Sequence, residues 1–475
     1  MRLQKTLATL VVLAVAACDQ DPVGLPTGDA PVAPPPVSYQ DAVLDRQPSP
    51  QHVILTEDAP GPDLLAAIAD AGGEVVFQHP IGFVFARGLD EDAAGALAGF
   101  ESVTNVASDV WIARDEPALG EASGASAEIA SPDDPASAFF FPRQWNMRAI
   151  QAEPAWDAGR TGSSDVTVAI LDTGVDPVHW DLAGRVDASR SISFVEIDDL
   201  LASAFFPTRE IWTDLHYHGT HVASTAVSNG LVAAGVTSMP TIMAVRVCTV
   251  TNFSCSFGAV VSGILHAVDN GADVANLSLG GGFPKSEFGE FVEFINELFN
   301  YARSNGTTMV VAAGNAAADL DRNGNTYATY CDSPGVICVS ATGPTFAPTS
   351  SGPFENVDTP APYTNFGRSA ISVAAPGGNF AGGLPWGGVW AACSTTSLVV
   401  PVCQTNPTFI VSLTGTSMAT PHVSGLAALV VEDVGNQPGR VKTRIQQGAD
   451  DVGPRGTDEF SGKGRINVAR TLGVN

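Results

Sequence analysis

Residues 413–425 read Leu-Thr-Gly-Thr-Ser-Met-Ala-Thr-Pro-His-Val-Ser-Gly, and an apolar run from Leu426 to Val431 follows. Gly415 allows a sharp turn, with Ser417 two residues later. Pro421 suits the first turn of a helix, where a missing N–H costs nothing. Val423, Leu426, Ala427, Leu429, Val430 and Val431 then make a helix that is apolar on almost every face, which predicts burial. A hydroxyl at the head of such a helix meets unpaired N–H groups and the positive end of the helix dipole, a favourable place for developing negative charge. Taken alone, a serine there is ordinarily a helix cap. The rest of the chain has to decide.

The chain has 475 residues, enough for one large domain and appendages. A net charge of −27 excludes nucleic acid and anionic membrane surfaces as partners. Residues 1–18 read as an export signal: Arg2 and Lys5 precede an apolar run, Leu7–Ala17, too short to span a bilayer. The run ends Val15-Ala16-Ala17-Cys18, which resembles a bacterial lipobox with Cys18 as the lipidated residue; ordinary signal-peptidase cleavage at the same alanines is the alternative. Residues 19–48, rich in proline, are then a solvated tether. The membrane is met only through that anchor, and the protein is secreted or held at the cell envelope. Six further cysteines suggest disulfides in an exported chain. Their spacing pairs them locally: Cys248 with Cys255, Cys331 with Cys338, Cys393 with Cys403.

Residues 49–115 form a unit with its own pattern. Strands at Val53–Leu55, Val75–Phe77, Gly82–Ala86 and Val103–Ile112, with helices at Pro62–Ala71 and Asp90–Phe100, give the β-α-β-β-α-β order of a ferredoxin-like domain. Residues 116–138, poor in large apolar side chains, read as an exposed linker open to proteolysis. Residues 139–475 are one α/β region. Apolar, β-branched strands at Val166–Leu171, Thr241–Val247, Val274–Leu279, Met309–Ala313, Val336–Ser340 and Ile371–Val373 alternate with helical segments, the signature of a parallel sheet covered on both faces. Sites in such sheets lie beyond the carboxyl ends of the strands.

Four places could carry chemistry. The strand ending Leu171 runs into Asp172-Thr-Gly; aspartic-protease chemistry needs a second such carboxylate, and no second Asp-Thr-Gly or Asp-Ser-Gly occurs. His216-Tyr-His218-Gly-Thr-His221 lacks the glutamate of a zinc H-E-x-x-H helix and has Gly219 in its interior, so one working imidazole is the better reading. Asn315 follows Gly314 at a strand end and is a candidate oxyanion donor. A serine that attacks a carbonyl needs a base, a carboxylate to orient it and donors for the oxyanion. The chain supplies them in the order Asp172, His218, Asn315, Ser417, the order of subtilisin.

Ala169-Ile-Leu-Asp172-Thr-Gly-Val-Asp176, His218-Gly-Thr-His-Val-Ala and Gly415-Thr-Ser417-Met-Ala-Thr-Pro-His422-Val resemble the three motifs of the subtilisin-like serine proteases, the subtilases, in their proteinase K-like branch. The likeness spans about residues 140–472 and includes Gly462-Lys-Gly-Arg-Ile-Asn467. It implies an endopeptidase in which Ser417 is the nucleophile, His218 the base and Asp172 its orienting carboxylate. Asn315 and the Ser417 N–H would hold the oxyanion. It also implies a cleft for polypeptide substrates between Ser278, Leu279 and Gly280 on one side and Ala313 and Gly314 on the other, with apolar or aromatic side chains favoured at the P1 position. His221 and His422 are packing residues. The 49–115 unit would be an inhibitory propeptide, and the enzyme a monomer that needs no cofactor for catalysis. A silent relative kept as a binding protein would have a broken triad, whereas all four residues are present.

Two departures stand out. Ser224 replaces a glycine usual in the family. The stretch Val227–Val236 is shorter than the calcium loop of the best-known subtilisins, although Asp181 matches one ligand of that loop. Separately, Asp319-Leu-Asp321-Arg-Asn323-Gly copies the start of a calcium loop without a glutamate at its twelfth position, Tyr330. Asp319, Asp321 and Asn323 are thus either a structural calcium site or a solvated turn.

Overall fold

Toward the N-terminal side, short apolar runs punctuated by glycine and proline form a small antiparallel sheet. The computed structural model describes residues 49–113, 117–125, 134–280, 282–286 and 289–474; the expected signal, Cys18 and the tether lie outside them. Strands β1 (Gln51–Thr56), β2 (Glu74–His79), β3 (Phe83–Arg87) and β4 (Val103–Ser108) lie in the order β2-β3-β1-β4, with helices Pro62–Asp70 and Glu91–Leu97 between them. Side chains alternate across the sheet, so each strand feeds two cores. Ile54, Val84 and Ala86 pack on the unit's own helices. Val53, Leu55, Phe83 and Phe85 pack on the large domain.

The strand expected over Val103–Ile112 is broken. After β4 ends at Ser108, β5 (Trp111–Ala113) leaves the small sheet and pairs elsewhere. The expected linker also differs from its reading, because Ala118–Gly124 is a strand, β6.

The large domain follows in order: β7 (Thr167–Asp172), β8 (Ile192–Ser193), β9 (Thr241–Arg246), β10 (Ser254–Ser256), β11 (Val274–Leu277), β12 (Phe283–Pro284), β13 (Thr308–Ala312), β14 (Thr326–Tyr327), β15 (Ile337–Thr342), β16 (Val373–Pro376), β17 (Val389–Ala392) and β18 (Phe409–Thr414). Among the described residues, seven strands make one parallel sheet in the order β16-β15-β13-β11-β7-β9-β8. Helices cover both faces, so the strands are buried throughout, as their near-continuous apolar sequences predict. The Thr416–Val434 helix crosses one face; its Val423, Leu426, Leu429 and Val430 are fully buried, each worth roughly 1.5–3 kcal/mol. Helices Phe257–Asp269 and Gly289–Ser304 cover the other face and also receive the small sheet. The ring of Phe83 stacks on Phe294 with centroids 5.6 Å apart. The three disulfides pair as the spacing predicts. Among the described residues no helix is long and apolar enough to cross a membrane.

Candidate active site

A strand end and a helix head bring the first two groups together. Asp172 is the last residue of β7, and His218 opens the His218–Ala226 helix that packs against the end of that strand. The approach is close. A Cβ on Gly219 would lie 2.0 Å from the Gly174 carbonyl oxygen and 3.1 Å from Asp172 Cβ, so only glycine lets the helix start there. His218 Nδ1 then lies 2.7 Å from Asp172 Oδ1, both side chains fully buried. The same oxygen accepts the Thr173 N–H at 2.8 Å.

A second carboxylate, which the sequence did not single out, ties this corner together. Asp214 accepts four hydrogen bonds, from Thr173 Oγ1, the His216 N–H, the Thr220 N–H and Thr220 Oγ1, at 2.7–2.9 Å. Thr173 Oγ1 in turn accepts the Gly219 N–H at 3.0 Å. Asp214 therefore links the strand bearing Asp172 to the helix bearing His218. Burial pushes its carboxyl up to about 6 in spite of these donors.

Ser417 is the second residue of its helix, which begins at Thr416, and it is 6% exposed. The helix starts earlier than its proline suggests: Pro421 sits in the interior, not the first turn. Without an N–H, Pro421 leaves the Ser417 carbonyl unbonded within the helix. Ser278 Oγ fills that vacancy with a 2.8 Å bond, and Ser417 Oγ donates back to the Ser278 carbonyl at 3.0 Å. Asn276 continues the network, donating to Ser278 Oγ at 3.0 Å and accepting from Ser424 Oγ at 2.8 Å.

Asn315 follows β13. Its amide oxygen accepts the Thr416 N–H at 2.9 Å and the Thr416 hydroxyl at 2.8 Å, so its NH2 is the end left for a ligand. Ser278, Leu279 and Gly280 leave the end of β11, while Ala313 and Gly314 leave the neighbouring β13. The expected cleft walls are therefore adjacent strand ends. Beside them β10 carries β5 as an antiparallel partner, Ser254 facing Ala113 and Ser256 facing Trp111. Cys255 in β10 is anchored to Cys248. Phe253, held at φ +48°, stacks on His216 and meets His218 edge-on, centroids 5.1 Å apart.

The remaining candidates resolve individually. The three imidazoles of the histidine segment diverge: His221 Nε2 lies 3.0 Å from the Val389 carbonyl, and burial lowers its pKa to about 3. His422 bridges the Met418 carbonyl and the Asn146 amide, both at 2.8 Å, with burial lowering its pKa to about 4. Both are neutral packing residues. Ser224, in place of the usual glycine, accepts the Ala392 N–H at 2.9 Å. Asp181 accepts the N–H groups of Leu231, Val232 and Ala233, which stand where a cation would have to bind. Asp319, Asp321 and Asn323 do not converge either. Asp321 accepts from Ser369 and the Ala370 N–H, Asp319 caps the Asp321 N–H, and Asn323 donates to Asp332. Those donors occupy the oxygens a calcium ion would need, and the set does not fit one. Among the described residues no three His, Cys, Asp or Glu side chains gather as a metal site.

Comparison with known proteins agrees with this arrangement. Residues 163–464 match the profile of the Subtilase family. Thermitase of Thermoactinomyces vulgaris is 32% identical over 348 residues, covering 72% of this chain and 99% of its own length. Subtilisin Savinase of Lederbergia lenta is 32% identical over 288 residues, covering 60% of this chain and 83% of that protein. Among solved structures, the epidermin leader peptide processing serine protease of Staphylococcus aureus superposes with a TM-score of 0.66 at 20% identity, over 89% of this chain and 98% of that one. Fervidolysin of Fervidobacterium pennivorans, a keratinolytic enzyme related to subtilisin, gives 0.64 at 22% identity, over 90% and 61%. At those identities the structural likeness speaks for the fold.

Proposed function

The chain belongs to the Subtilase family of serine endopeptidases, and on that premise we propose that Ser417, His218, Asp172 and Asn315 hydrolyse peptide bonds in a precursor held inactive by residues 49–115. The observation that carries the reading is the buried His218–Asp172 pair at 2.7 Å beside the helix whose head bears Ser417. Ser417 Oγ attacks the scissile carbonyl carbon and its proton passes to His218 Nε2. Asp172 holds Nδ1–H and stabilises the imidazolium. The Asn315 NH2 and the Ser417 N–H take the charge of the oxyanion. Collapse expels the amine, which leaves with the proton from His218; water then repeats the sequence on the acyl ester and releases the acid. The relatives named above are thermitase and a subtilisin, so the reading is drawn at the level of the family, not of the proteinase K-like branch.

Three contacts support the propeptide role. Phe85 of the small sheet lies against Gly258 of the large domain. Asp109 caps the Phe257–Asp269 helix through the Ser256 hydroxyl and the Gly258 N–H, the latter at 2.8 Å. β5 occupies the β10 edge, where the acyl half of a substrate would lie as an added strand. The cut then falls between Ala113 and Pro117, at the front of the expected linker. Export through residues 1–18, and an envelope or secreted location, complete the reading; polypeptides are the substrates, with apolar P1 side chains.

Intact mass and N-terminal sequence of the exported wild type and of Ser417→Ala test it. Wild type should begin between residues 114 and 117, while the alanine variant keeps its small domain and loses about six powers of ten in turnover, the size found in subtilisin. Equal processing of both would refute self-cleavage; undiminished hydrolysis by the variant would refute the nucleophile.

A further inference from the structure

We propose that the loop closed by Cys393–Cys403, at the turn between β17 and β18, positions the general base, and that Ser394, Thr396 and Ser397 act by holding the segment that delivers His218. The inference rests on the protease reading of His218 and Ser417. Residues 393–398 read Cys-Ser-Thr-Thr-Ser-Leu, and Ser394, Thr396 and Ser397 are fully buried. A buried hydroxyl is costly unless it is paired, and all three are paired with the chain just before His218. Ser394 Oγ and Thr396 Oγ1 donate to the Asp214 carbonyl at 2.5 and 2.8 Å. The Leu398 N–H donates to the Leu215 carbonyl at 2.8 Å, and the Ser397 hydroxyl donates to the His216 carbonyl. One loop thus answers three consecutive carbonyls. Thr395 reaches the other side of the same corner: its N–H and hydroxyl donate to Asp176 Oδ2 at 2.7 and 2.6 Å, while the Asp176 N–H donates to Thr220 Oγ1 at 3.1 Å.

The two strands of the hairpin reach both reacting groups. β17 lies along the His218–Ala226 helix, its Val389 carbonyl 3.0 Å from His221 Nε2 and its Ala392 N–H donating to Ser224 Oγ at 2.9 Å. β18 pairs with β17, Leu413 facing Val389 and Ile410 facing Ala392, and runs on into Gly415, Thr416 and Ser417. One strand therefore supports the helix of the base, and the continuation of the other carries the nucleophile. The disulfide ties Cys393, the first residue past β17, to Cys403 ten residues on. Closure removes alternative shapes of the loop, so its hydroxyls are set before the base needs them. The geometry matters because the Ser417 proton must pass to Nε2 while Nδ1 keeps its bond to Asp172. A misplacement of about 1 Å at a reacting group costs about 10²-fold in rate.

The test measures kcat and KM of processed enzyme on one peptide, with kcat expressed per active site titrated by an acylating reagent. The double variant Ser394→Ala/Thr396→Val should lower kcat by about tenfold with KM unchanged, and Cys393→Ala/Cys403→Ala by up to about a hundredfold. Thr396→Ser, which keeps the hydroxyl, should retain the wild-type kcat. The proton resonance of the His218 Nδ1–H, shifted downfield by its bond to Asp172, should broaden in the two impaired variants and not in Thr396→Ser. If the impaired variants fail to mature, Ser397→Ala removes a single hydroxyl and should still lower kcat by about threefold. A loop that serves stability alone would reduce the denaturation midpoint and the number of titratable sites while leaving kcat per site and the resonance as in wild type, which overturns the proposal. A rise in KM at constant kcat also overturns it, by making the loop a substrate contact. Wild-type enzyme that hydrolyses nothing would instead remove the reading on which the proposal rests.

Discussion

The corner around Asp172 and His218 and the strand Ala118–Gly124 are built in opposite ways. In the corner buried polar groups are tied to one another across the strand end and the helix head: Asp214 alone receives donors from Thr173, His216 and Thr220. The strand offers its main chain to β18 and keeps most of its surface in solvent; of residues 117–125 only Pro117 and Ala125 are buried. Low-dielectric networks are intolerant because a lost partner strands a desolvated group. Edge pairing is forgiving because water can take over the same main-chain groups. Rigidity is thus concentrated in the buried corner, and exchangeability at the exposed edge.

Four changes would break or sharpen that contrast. Asp214→Ala leaves four buried donors without an acceptor and should cost about 3 kcal/mol or more of stability, read as a fall in the denaturation midpoint; an unchanged midpoint would mean the corner is not held as described. Asn315→Ala should lower kcat by about 10²–10³ with KM nearly unchanged, the size found for the matching asparagine of subtilisin. An equal rise in KM would make it a ground-state contact instead.

The third change concerns pH. The folded-state pKa of His422 is depressed to about 4, so its contribution to stability is complete above its unfolded value of about 6.5 and is lost as pH falls through that value towards 4. The loss is about 3 kcal/mol by linkage. Asp214, raised to about 6, works against it, since a folded state that binds a proton more tightly gains on acidification. His422→Gln should therefore flatten the fall in stability between pH 7 and 4, measured by denaturant titration at each pH; an unaltered slope would place the titration elsewhere. The smallest effect belongs to the strand. Gly120→Ala should change global stability by less than about 0.5 kcal/mol while speeding amide exchange in residues 118–124. A cooperative loss of the whole domain's stability would show that the strand is part of the core after all.

Much of the fold could be read in advance because its determinants are local. Strands such as Thr167–Asp172 carry their own β-branched patterning, and the three cysteine pairs are close in sequence. Asp172, His218, Asn315 and Ser417 are legible as candidates because each stands at a strand end or helix head within two residues of a glycine. What escaped depends on partners far away in sequence. Residues 118–124 have no apolar alternation, so nothing local marks them as a strand; the pairing comes from the bare edge of β18. Val103–Ile112 looked like one strand because the switch at Asp109 is dictated by the Gly258 N–H of a distant helix. Asp214 resembled any loop aspartate, since its four donors are identified only by folding. The general rule puts Pro421 in the first helical turn, and Ser278 is the residue that makes an interior position tolerable.

That exchange at Pro421 has a mechanical consequence. A helix interrupted by proline normally gains freedom, yet here the liberated Ser417 carbonyl is fastened to the residue just past the end of β11, and the Ser417 hydroxyl is fastened to the same place. The proposed nucleophile and the proposed seat of the peptide consequently shift as one piece. A thermal displacement of either carries the other along, so the alignment of oxygen with bond survives motions that would blur two independently mounted parts.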